Sequence, residues 1–492
     1  MIKGFTNMLD ALKYQANRTV TENGAATLVT TRSDCLDLFA TIGALRSASK
    51  QTIIDRFHRA FAEDPDIAMR ILFYGRDIRG GLGERRIFRV LLHELAEKHP
   101  ESVRKNLEYV AEMGRYDDLL CLTDTPCEAD VIELVRCQLK QDTEHAERGE
   151  SISLLAKWLP SVNTSNEETV HMGKLFARKL GMSDSAYRKT LSRLRAYLRI
   201  LENSLREQDY TFSYEAQPSR AMYKYRRAFL RNDEERYLEF MEKVSQGKAT
   251  LHTSSLTPSD LVDKALDFRG TEEERKILDT TWNALEDYTD DRNAICVVDT
   301  SGSMFWQGKP RPFAVAMSLG MYFAQRNHGL FRNHFITFSM RPRMIEIKGR
   351  DFVDQVQYCR SFGEAADTNI QAVFELILNT AVLNHVRQSD MPETIYIISD
   401  MEFNRCTRDA SMSNFEYAKK LYEDHGYRLP KIVFWNVQSR NTQQPVDMNE
   451  QGVALVSGYT PRLFNMALSG QMNPHQAMMD TLSNERYACI RA

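Results

Sequence analysis

The sequence predicts two architectures in one chain: an all-α helical-repeat domain over residues 1–290, followed by a doubly wound α/β domain over residues 291–492. Two observations predict this division. Amphipathic helical periodicity with short connections runs almost to Asp290, which is typical of stacked antiparallel helix pairs. After Asp290, short apolar runs alternate with helical segments, which is typical of a parallel sheet covered by helices.

The composition is that of an ordinary globular protein. The 492 residues are 42% hydrophobic and 27% charged, and the formal charge of −3 identifies no partner by itself. The N-terminus lacks the apolar core of a signal peptide, and no apolar run reaches the roughly 18 residues that cross a membrane. Eight scattered cysteines without a C-x-x-C pair are typical of reduced thiols. We therefore expect a cytoplasmic protein without a membrane segment.

Helical periodicity fills the first domain. Apolar residues at spacings of three and four predict helices over 53–61, 67–74, 86–95, 103–113, 131–140, 174–180, 185–206, 219–230 and 234–246. The connections are short and carry Gly, Pro or Asp. No strict period is present, so any repeats are degenerate. A polar stretch over 247–258 predicts an internal linker, and helices over 259–266 and 272–286 lead to the second domain.

The second domain alternates strands with helices. Strands are predicted over 294–298, 334–338, 394–399, 431–436 and 453–457. Helices are predicted over 312–325, 352–360, 370–384 and 414–423, with two more at the C-terminus. The alternating stretch 343–348 is predicted to be an antiparallel edge strand.

The first of these strands ends in a group of oxygen-bearing side chains. Asp299 follows the apolar run directly, and Ser301 and Ser303 come next at spacings of two. A later strand ends at Asp400, and Thr368 lies in a loop that opens a helix. Open α/β sheets bind ligands at the carboxyl ends of their strands. Carboxylate and hydroxyl oxygens are hard ligands, which suit Mg²⁺, Ca²⁺ or Mn²⁺.

These residues resemble the metal-ion-dependent adhesion site (MIDAS) of the von Willebrand factor A domain, a Rossmann-like doubly wound fold. The resemblance covers roughly residues 290–492. It implies that Ser301, Ser303 and Thr368 hold a divalent cation through their hydroxyls, with Mg²⁺ preferred over Ca²⁺ or Mn²⁺. Asp299 and Asp400 would act directly or through water, and an open position would accept a partner's carboxylate. The alternative is a turn at residues 299–303 that only caps a helix.

Two motifs in the helical half resemble those of the Ro (TROVE-domain) family. They are R-D-I-R-G-G-L-G-E-R-R at 76–86 and G-R-Y-D-D-L-L at 114–120. The resemblance implies a domain of HEAT-like repeats that closes into a ring, followed by a von Willebrand A domain. It also implies binding of structured or misfolded non-coding RNA, with single-stranded ends inside the ring and duplex RNA outside, and no catalysis.

A basic segment in the helical half supports RNA binding independently. Between residues 186 and 231, eleven basic residues stand against four acidic ones, with tyrosines and phenylalanines interleaved. Single-stranded RNA binding uses cations for phosphates and aromatic rings for unstacked bases. A smaller group, which we call the glycine-loop cluster, surrounds the glycine loop at 80–83 and comprises Arg76, Arg79, Arg85, Arg86 and Arg89. The candidate RNA contacts from both regions are Arg76, Arg79, Arg85, Arg86, Arg188, Lys189, Arg193, Arg220, Lys224, Arg226 and Arg227.

Each part of this RNA hypothesis has a structural alternative. Basic helix faces are usually only solvated, and aromatic residues at helical spacing usually belong to a core. Arg85 and Arg86 could pair with Glu84, Asp77 or the pair Asp117 and Asp118. The glycine loop could bind a phosphate through its backbone N–H groups, or it could be only a tight turn that needs positive φ.

Three common enzyme motifs are absent from the sequence. It has no phosphate-binding loop, no H-E-x-x-H helix and no G-x-S-x-G elbow. Together with the two resemblances and the basic segment, this predicts a non-enzymatic, Ro-like RNA-binding protein with a divalent cation in its second domain. The sequence leaves the oligomeric state open, with a monomer favoured. One alternative is a metal-dependent adaptor that grips an acidic residue of a protein partner. Another is a cation that joins the second domain to the chain's own helical half.

Overall fold

The structure, a computed structural model, describes residues 7–305, 309–363, 369–404, 413–466 and 473–492. The chain divides into two compact units. Unit 1 comprises residues 1–71 and 256–488, and unit 2 comprises residues 72–255 and 489–492. The first 71 residues and the helices just before the sheet therefore belong to the sheet-containing unit. The division near residue 290 remains a prediction.

The first part of the chain is mainly helical, as predicted. Its helices are α1 (Met8–Ala16), α2 (Asp34–Phe39), α3 (Lys50–Glu63), α4 (Pro65–Arg76), α5 (Arg85–Lys98), α6 (Pro100–Arg104), α7 (Leu107–Tyr109), α8 (Glu128–Arg148), α9 (Leu155–Trp158), α10 (Glu167–Lys179), α11 (Asp184–Tyr197), α12 (Leu201–Glu207), α13 (Ser219–Asn232), α14 (Glu234–Ser245), α15 (Pro258–Leu266) and α16 (Glu272–Asn283). The later helices are α17 (Pro312–Arg326), α18 (Phe352–Arg360), α19 (Ile370–Leu383), α20 (Asn414–Asp424), α21 (Leu463–Met466), α22 (Pro474–Leu482) and α23 (Glu485–Ala488). Within the described ranges, none of these helices combines the length and apolar character needed to cross a membrane.

The strands that the structure describes lie in unit 1. They are β1 (Arg18–Val20), β2 (Ala26–Leu28), β3 (Ala294–Asp299), β4 (His334–Phe338), β5 (Met344–Glu346), β6 (Thr394–Ser399), β7 (Lys431–Asn436) and β8 (Val453–Ser457). The last six form one sheet in the order β5-β4-β3-β6-β7-β8. Neighbouring strands in this sheet are parallel, except that β5 pairs antiparallel with β4. The predicted α/β fold with an antiparallel edge strand is confirmed.

Helices cover both faces of the sheet. Successive side chains of a strand point to opposite sides, so neighbouring residues of β3 contact helices on opposite faces. Ile295 and Val297 of β3 share a buried cluster with Phe374 of α19. Val298 faces α17, where a Cβ added to Gly320 would lie 2.3 Å from the Val298 Cγ2 atom. Only glycine allows the helix and strand to approach so closely. Every residue of β3 is buried, and this explains its continuous apolar run.

Two helices that the periodicity predicts as continuous are interrupted. The predicted helix over 103–113 is divided among α6, α7 and a short π-helical segment over Val110–Gly114. The predicted helix over 185–206 ends at Tyr197 and resumes at Leu201. Arg199, between these two helices, has a left-handed backbone with a φ of 46°. The apolar spacing continues through both interruptions, so periodicity alone does not reveal them.

The hairpin formed by β1 and β2 departs from the all-helical pattern predicted for the N-terminal region. Each of its strands has only three residues. Its outer edge pairs with a distant segment: the Leu28 N–H donates to the Gln444 carbonyl at 3.0 Å, and the Gln444 N–H donates back at 2.8 Å. Because these contacts lie far away in sequence, the local pattern carries no strand signal.

Candidate functional site

The predicted metal site lies where two central strands of the sheet end. β3 and β6 are parallel neighbours, with Val298 opposite Ile398 in the register. Asp299 and Ser399 are the next residues along these two strands, and Asp400 follows Ser399 directly. Asp299 and Asp400 are both buried. The topology thus brings the two carboxylates of the predicted site to one edge of the sheet.

Hydrogen bonds join four of the five predicted metal ligands. The Ser301 backbone N–H donates to Asp299 Oδ1 at 2.9 Å. The hydroxyls of Ser301 and Ser303 lie 3.0 Å apart, and Ser303 Oγ donates to Asp400 Oδ2 at 2.9 Å. The fifth predicted ligand, Thr368, lies outside the described residues. Two carboxylates and two hydroxyls therefore form one connected group of oxygen atoms.

The chemistry of this group suits a hard divalent cation. Burial and the nearby Asp400 carboxylate raise the pKa of Asp299 to about 7. Burying a negative charge costs free energy unless a positive charge or hydrogen bonds compensate for it. A cation held by these oxygens would offset that cost, and oxygen-only donors are what Mg²⁺, Ca²⁺ and Mn²⁺ prefer.

The helix-capping alternative accounts less well for this geometry. The turn after β3 leads into Gly302–Phe305, a short 3₁₀ segment, and the next α-helix begins only at Pro312. The Asp299 carboxylate accepts from the Ser301 N–H and from the Ser399 hydroxyl, at 2.9 Å and 2.5 Å. It therefore stabilises the turn and the neighbouring strand end instead of capping α17.

Three residues of this edge were missed by the sequence analysis. Ser399 holds Asp299, as described above, and its place just before Asp400 was a usable signal. Arg440 Nη2 donates to Asp400 Oδ2 at 3.0 Å, and Arg440 Nη1 lies 3.1 Å from Glu22 Oε2. Arg440 and Glu22 lie in loops far apart in the sequence, so nothing local pointed to them.

The glycine-loop cluster in unit 2 contains a buried ion pair. Arg76 is 2% exposed, and its Nε and Nη2 atoms both lie 2.7 Å from Asp118 Oδ2. Arg89 Nε donates to Asp118 Oδ1 at 2.6 Å. The fold encloses the guanidinium of Arg76, which favours a structural role for this residue; Arg76 as an RNA contact stays a prediction. Arg79, Arg85 and Arg86 are exposed.

The backbone of the glycine loop is used within the fold. The N–H groups of Gly81 and Gly83 donate to the Asp77 carbonyl at 3.2 Å, and the Leu82 N–H donates to the Tyr74 carbonyl at 3.1 Å. A Cβ at position 81 would lie 2.0 Å from that Tyr74 oxygen. These contacts favour the tight-turn interpretation over a phosphate-binding loop.

The basic segment presents its charges on two helices of unit 2. On α13, Arg220, Lys224, Arg227 and Arg231 are all exposed, at spacings of four, three and four residues. These four residues form what we call the α13 stripe, since residues so spaced share one helix face. Arg226 lies beside it and is half-buried, with its guanidinium carbon 4.3 Å from the centre of the Tyr223 ring.

The basic residues of α11 are also exposed, but one is partly neutralised. Arg188, Lys189 and Arg193 all reach solvent. Arg193 Nη1 lies 3.2 Å from Glu147 Oε1. Part of the positive charge on α11 is thus compensated by Glu147.

Three of the eight aromatic residues of the basic segment belong to the core of unit 2. Tyr187, Tyr214 and Phe229 are buried, and the rings of Tyr214 and Phe229 pack edge to face with centroids 5.2 Å apart. Tyr223 and Tyr225 are half-buried beside the α13 stripe. The core alternative is therefore right for these three buried rings.

Two family models match the chain. The model described as "Domain of unknown function (DUF2828)" matches residues 21–119 and 129–293, which is more than half of the chain. The model described as "Domain of unknown function (DUF7788)" matches residues 293–488.

A viral protein and a solved bacterial structure are among the proteins similar to the chain. An uncharacterized protein, L728, of Acanthamoeba polyphaga mimivirus is 29% identical over 510 residues, covering 95% of this chain and 87% of the relative. The crystal structure of the Ro (RSR) protein of Deinococcus radiodurans is 11% identical, with a TM-score of 0.34, and covers 92% of this chain and 93% of the Ro chain. Ro is the family that the sequence motifs resemble. Because the structural likeness is so distant, the function proposed next rests on this chain's own residues.

Proposed function

We propose that this chain, which belongs to the family described as domain of unknown function DUF2828, binds structured or misfolded non-coding RNA through unit 2. It does so without catalysing a reaction, and it holds a divalent cation where β3 and β6 end. The observation that carries the RNA proposal is the α13 stripe.

The α13 stripe concentrates positive charge along one line. From Arg220 to Arg231 it extends about 16 Å at 1.5 Å per residue. No Asp or Glu occurs between residues 216 and 232, so no carboxylate of the helix itself neutralises the stripe. Exposed Arg and Lys side chains in such a row bind successive phosphates by releasing counterions.

Polar and aromatic groups beside the stripe add to this binding surface. Lys224 Nζ donates to Tyr225 Oη at 2.8 Å, and this hydrogen bond raises the pKa of Lys224. The ammonium group is therefore charged at neutral pH. The half-buried rings of Tyr223 and Tyr225 are the aromatic residues best placed to contact an unstacked base.

The triple variant Arg220→Gln, Lys224→Gln and Arg227→Gln is expected to weaken RNA binding at least about tenfold, because three phosphate contacts are lost. The slope of log affinity against log salt should fall by about 2, at roughly 0.7 per lost contact on a single strand. Filter binding of a hairpin RNA with a free single-stranded 3′ end, across a salt series, measures both quantities.

A matched control removes the same charge from other exposed helix positions of unit 2. Lys140→Gln, Lys174→Gln and Lys243→Gln neutralise three exposed lysines on α8, α10 and α14. This control should keep nearly full affinity. Equal losses in the two triple variants would mean that binding follows net charge only, and would contradict a role for the α13 stripe.

A second candidate function comes from the oxygen cluster around Asp299 and Asp400. A cation held mainly by hydroxyls and few carboxylates stays electrophilic and favours a further anionic oxygen. This geometry suits a metal-dependent adaptor that grips a carboxylate of a protein partner. Capture of a partner that is lost with EDTA and with Asp299→Ala, while RNA recovery is unchanged, would favour the adaptor function over the RNA function.

A further inference from the structure

The positively charged guanidinium of Arg440 contacts the proposed cation site of unit 1. Its Nη2 atom lies 3.0 Å from Asp400 Oδ2, and its Nη1 atom lies 3.1 Å from Glu22 Oε2. The Arg440 side chain is 33% exposed, whereas that of Asp400 is 3% exposed. The guanidinium therefore reaches from the protein surface to a buried carboxylate.

The oxygen that Arg440 contacts is one that a cation would need. Asp400 Oδ2 also accepts a hydrogen bond from Ser303 Oγ at 2.9 Å. This oxygen is therefore on the side of the carboxylate that faces the predicted metal ligands. A guanidinium and a divalent cation repel each other, and they compete for the same lone pairs on a carboxylate.

We infer that Arg440 is a built-in competitor of the divalent cation, and that Glu22 receives its guanidinium when a cation binds at Asp400. This inference rests on the proposed cation site and goes beyond it, since it names the residues that set the affinity of the site. Without a cation, Arg440 compensates part of the negative charge of Asp299 and Asp400. When a cation is bound, the cation compensates the negative charge of Asp299 and Asp400, and Arg440 keeps only its ion pair with Glu22.

Glu22 is held in position for this exchange. It lies in the turn between β1 and β2, and its backbone N–H donates to Glu402 Oε2 at 2.9 Å. The neighbouring Asn23 Nδ2 donates to the Glu402 carbonyl at 2.7 Å. Thr21 Oγ1 donates to the Phe403 carbonyl at 2.5 Å. The hairpin turn is thus fastened to the loop that follows Asp400, which keeps the Glu22 carboxylate beside Arg440.

Isothermal titration of the full chain with Mg²⁺ or Mn²⁺ alone tests this inference. Arg440→Gln removes the competitor, and we expect cation affinity to rise about tenfold. Glu22→Gln removes the alternative partner of the guanidinium, so Arg440 should bind Asp400 more fully. In that variant we expect cation affinity to fall several-fold. Opposite shifts in the two variants are a result that a merely structural role of Arg440 does not produce.

Arg387→Gln is the matched control. Arg387 is exposed and lies 2.9 Å from Asp390, before the start of β6 and thus at the opposite end of that strand from Asp400. Arg387→Gln removes one positive charge, as Arg440→Gln does, but cation affinity should stay unchanged. The melting temperature of each variant without cation checks that it folds. If Arg440→Gln does not fold, Glu22→Gln still gives the decisive shift.

The outcomes separate this inference from the cation site itself. If the wild-type chain binds the cation and Arg440→Gln binds it equally or more weakly, the competitor role is wrong and the site stands. If wild type and both variants bind no cation, the cation site fails and the competitor role fails with it. Binding by Arg440→Gln alone would support the competitor role most strongly.

Discussion

Asp299→Asn is expected to weaken divalent-cation binding at least about a hundredfold. A unit charge pair 4 Å apart contributes about 4 kcal/mol at an effective dielectric constant of 20, and the substitution removes one such charge. The shape of the side chain is kept. The amide oxygen can still accept from the Ser301 N–H, and the amide nitrogen can donate to the Ser399 hydroxyl, which rotates. Isothermal titration with Mg²⁺ measures the loss.

The same variant should not be destabilised in the absence of cation. Burial and Asp400 raise the pKa of Asp299 from 3.8 to about 7, so the folded state favours the protonated carboxyl. Stability from this group is therefore lost as the pH rises through about 7. At pH 8 the metal-free Asp299→Asn protein should melt at the wild-type temperature or above.

The exposed Asp424, the last residue of α20, provides the control. Asp424→Asn should leave cation affinity unchanged. Unchanged affinity in Asp299→Asn as well would show that the cation does not bind at this carboxylate. A large drop in its melting temperature would instead show that the carboxylate is mainly structural.

Asp118→Asn is expected to destabilise unit 2 by about 3–5 kcal/mol, the usual cost of breaking a buried ion pair on one side. Asp118 is fully buried and accepts from Arg76, from Arg89 and from the Arg115 backbone N–H, the last at 3.0 Å. Neutralising it leaves the buried Arg76 guanidinium without its counter-charge. Urea denaturation followed by circular dichroism measures the change in the free energy of unfolding.

The adjacent Asp117 provides a matched comparison. It is more exposed than Asp118 and pairs with Arg89 and Arg115, each at 2.9 Å. Asp117→Asn should cost only about 1 kcal/mol, as partly exposed ion pairs do. An unchanged urea midpoint in Asp118→Asn would contradict the structural role of this pair. An Arg76→Met protein that stays folded but loses RNA affinity would support Arg76 as an RNA contact.

Much of the α/β half could be predicted because its signals are local. The apolar run of β3 is continuous because the strand is buried on both faces, and Asp299 marks its end. Asp400, directly after the apolar run of β6, gives the same signal. Parallel pairing of these strands then brings the two carboxylates together, which is why four of the five predicted ligands lie in one hydrogen-bonded group.

What the sequence could not provide depends on distant contacts. Arg76 and the exposed Arg79 lie in the same arginine-rich motif at 76–86, so the sequence does not distinguish them. Only the folded structure shows that Asp118 contacts Arg76. Arg440 and Glu22 are separated by over four hundred residues, and their meeting depends on the hairpin that the local pattern also missed. Likewise, the aromatic residues of the basic segment cannot be divided between core and surface by spacing alone, because Phe229 and Tyr225 lie on the same helix.

The central claim, that RNA binds along the α13 stripe, is tested most directly by ultraviolet cross-linking of the purified chain to its co-purifying RNA. Mass spectrometry of the cross-linked peptides and sequencing of the RNA, with a nuclease-treated control, give the readout. We predict cross-links in peptides covering residues 219–232, with Tyr223 and Tyr225 among the cross-linked positions. Cross-links confined to other parts of the chain, or no RNA above the nuclease-treated control, would contradict the claim.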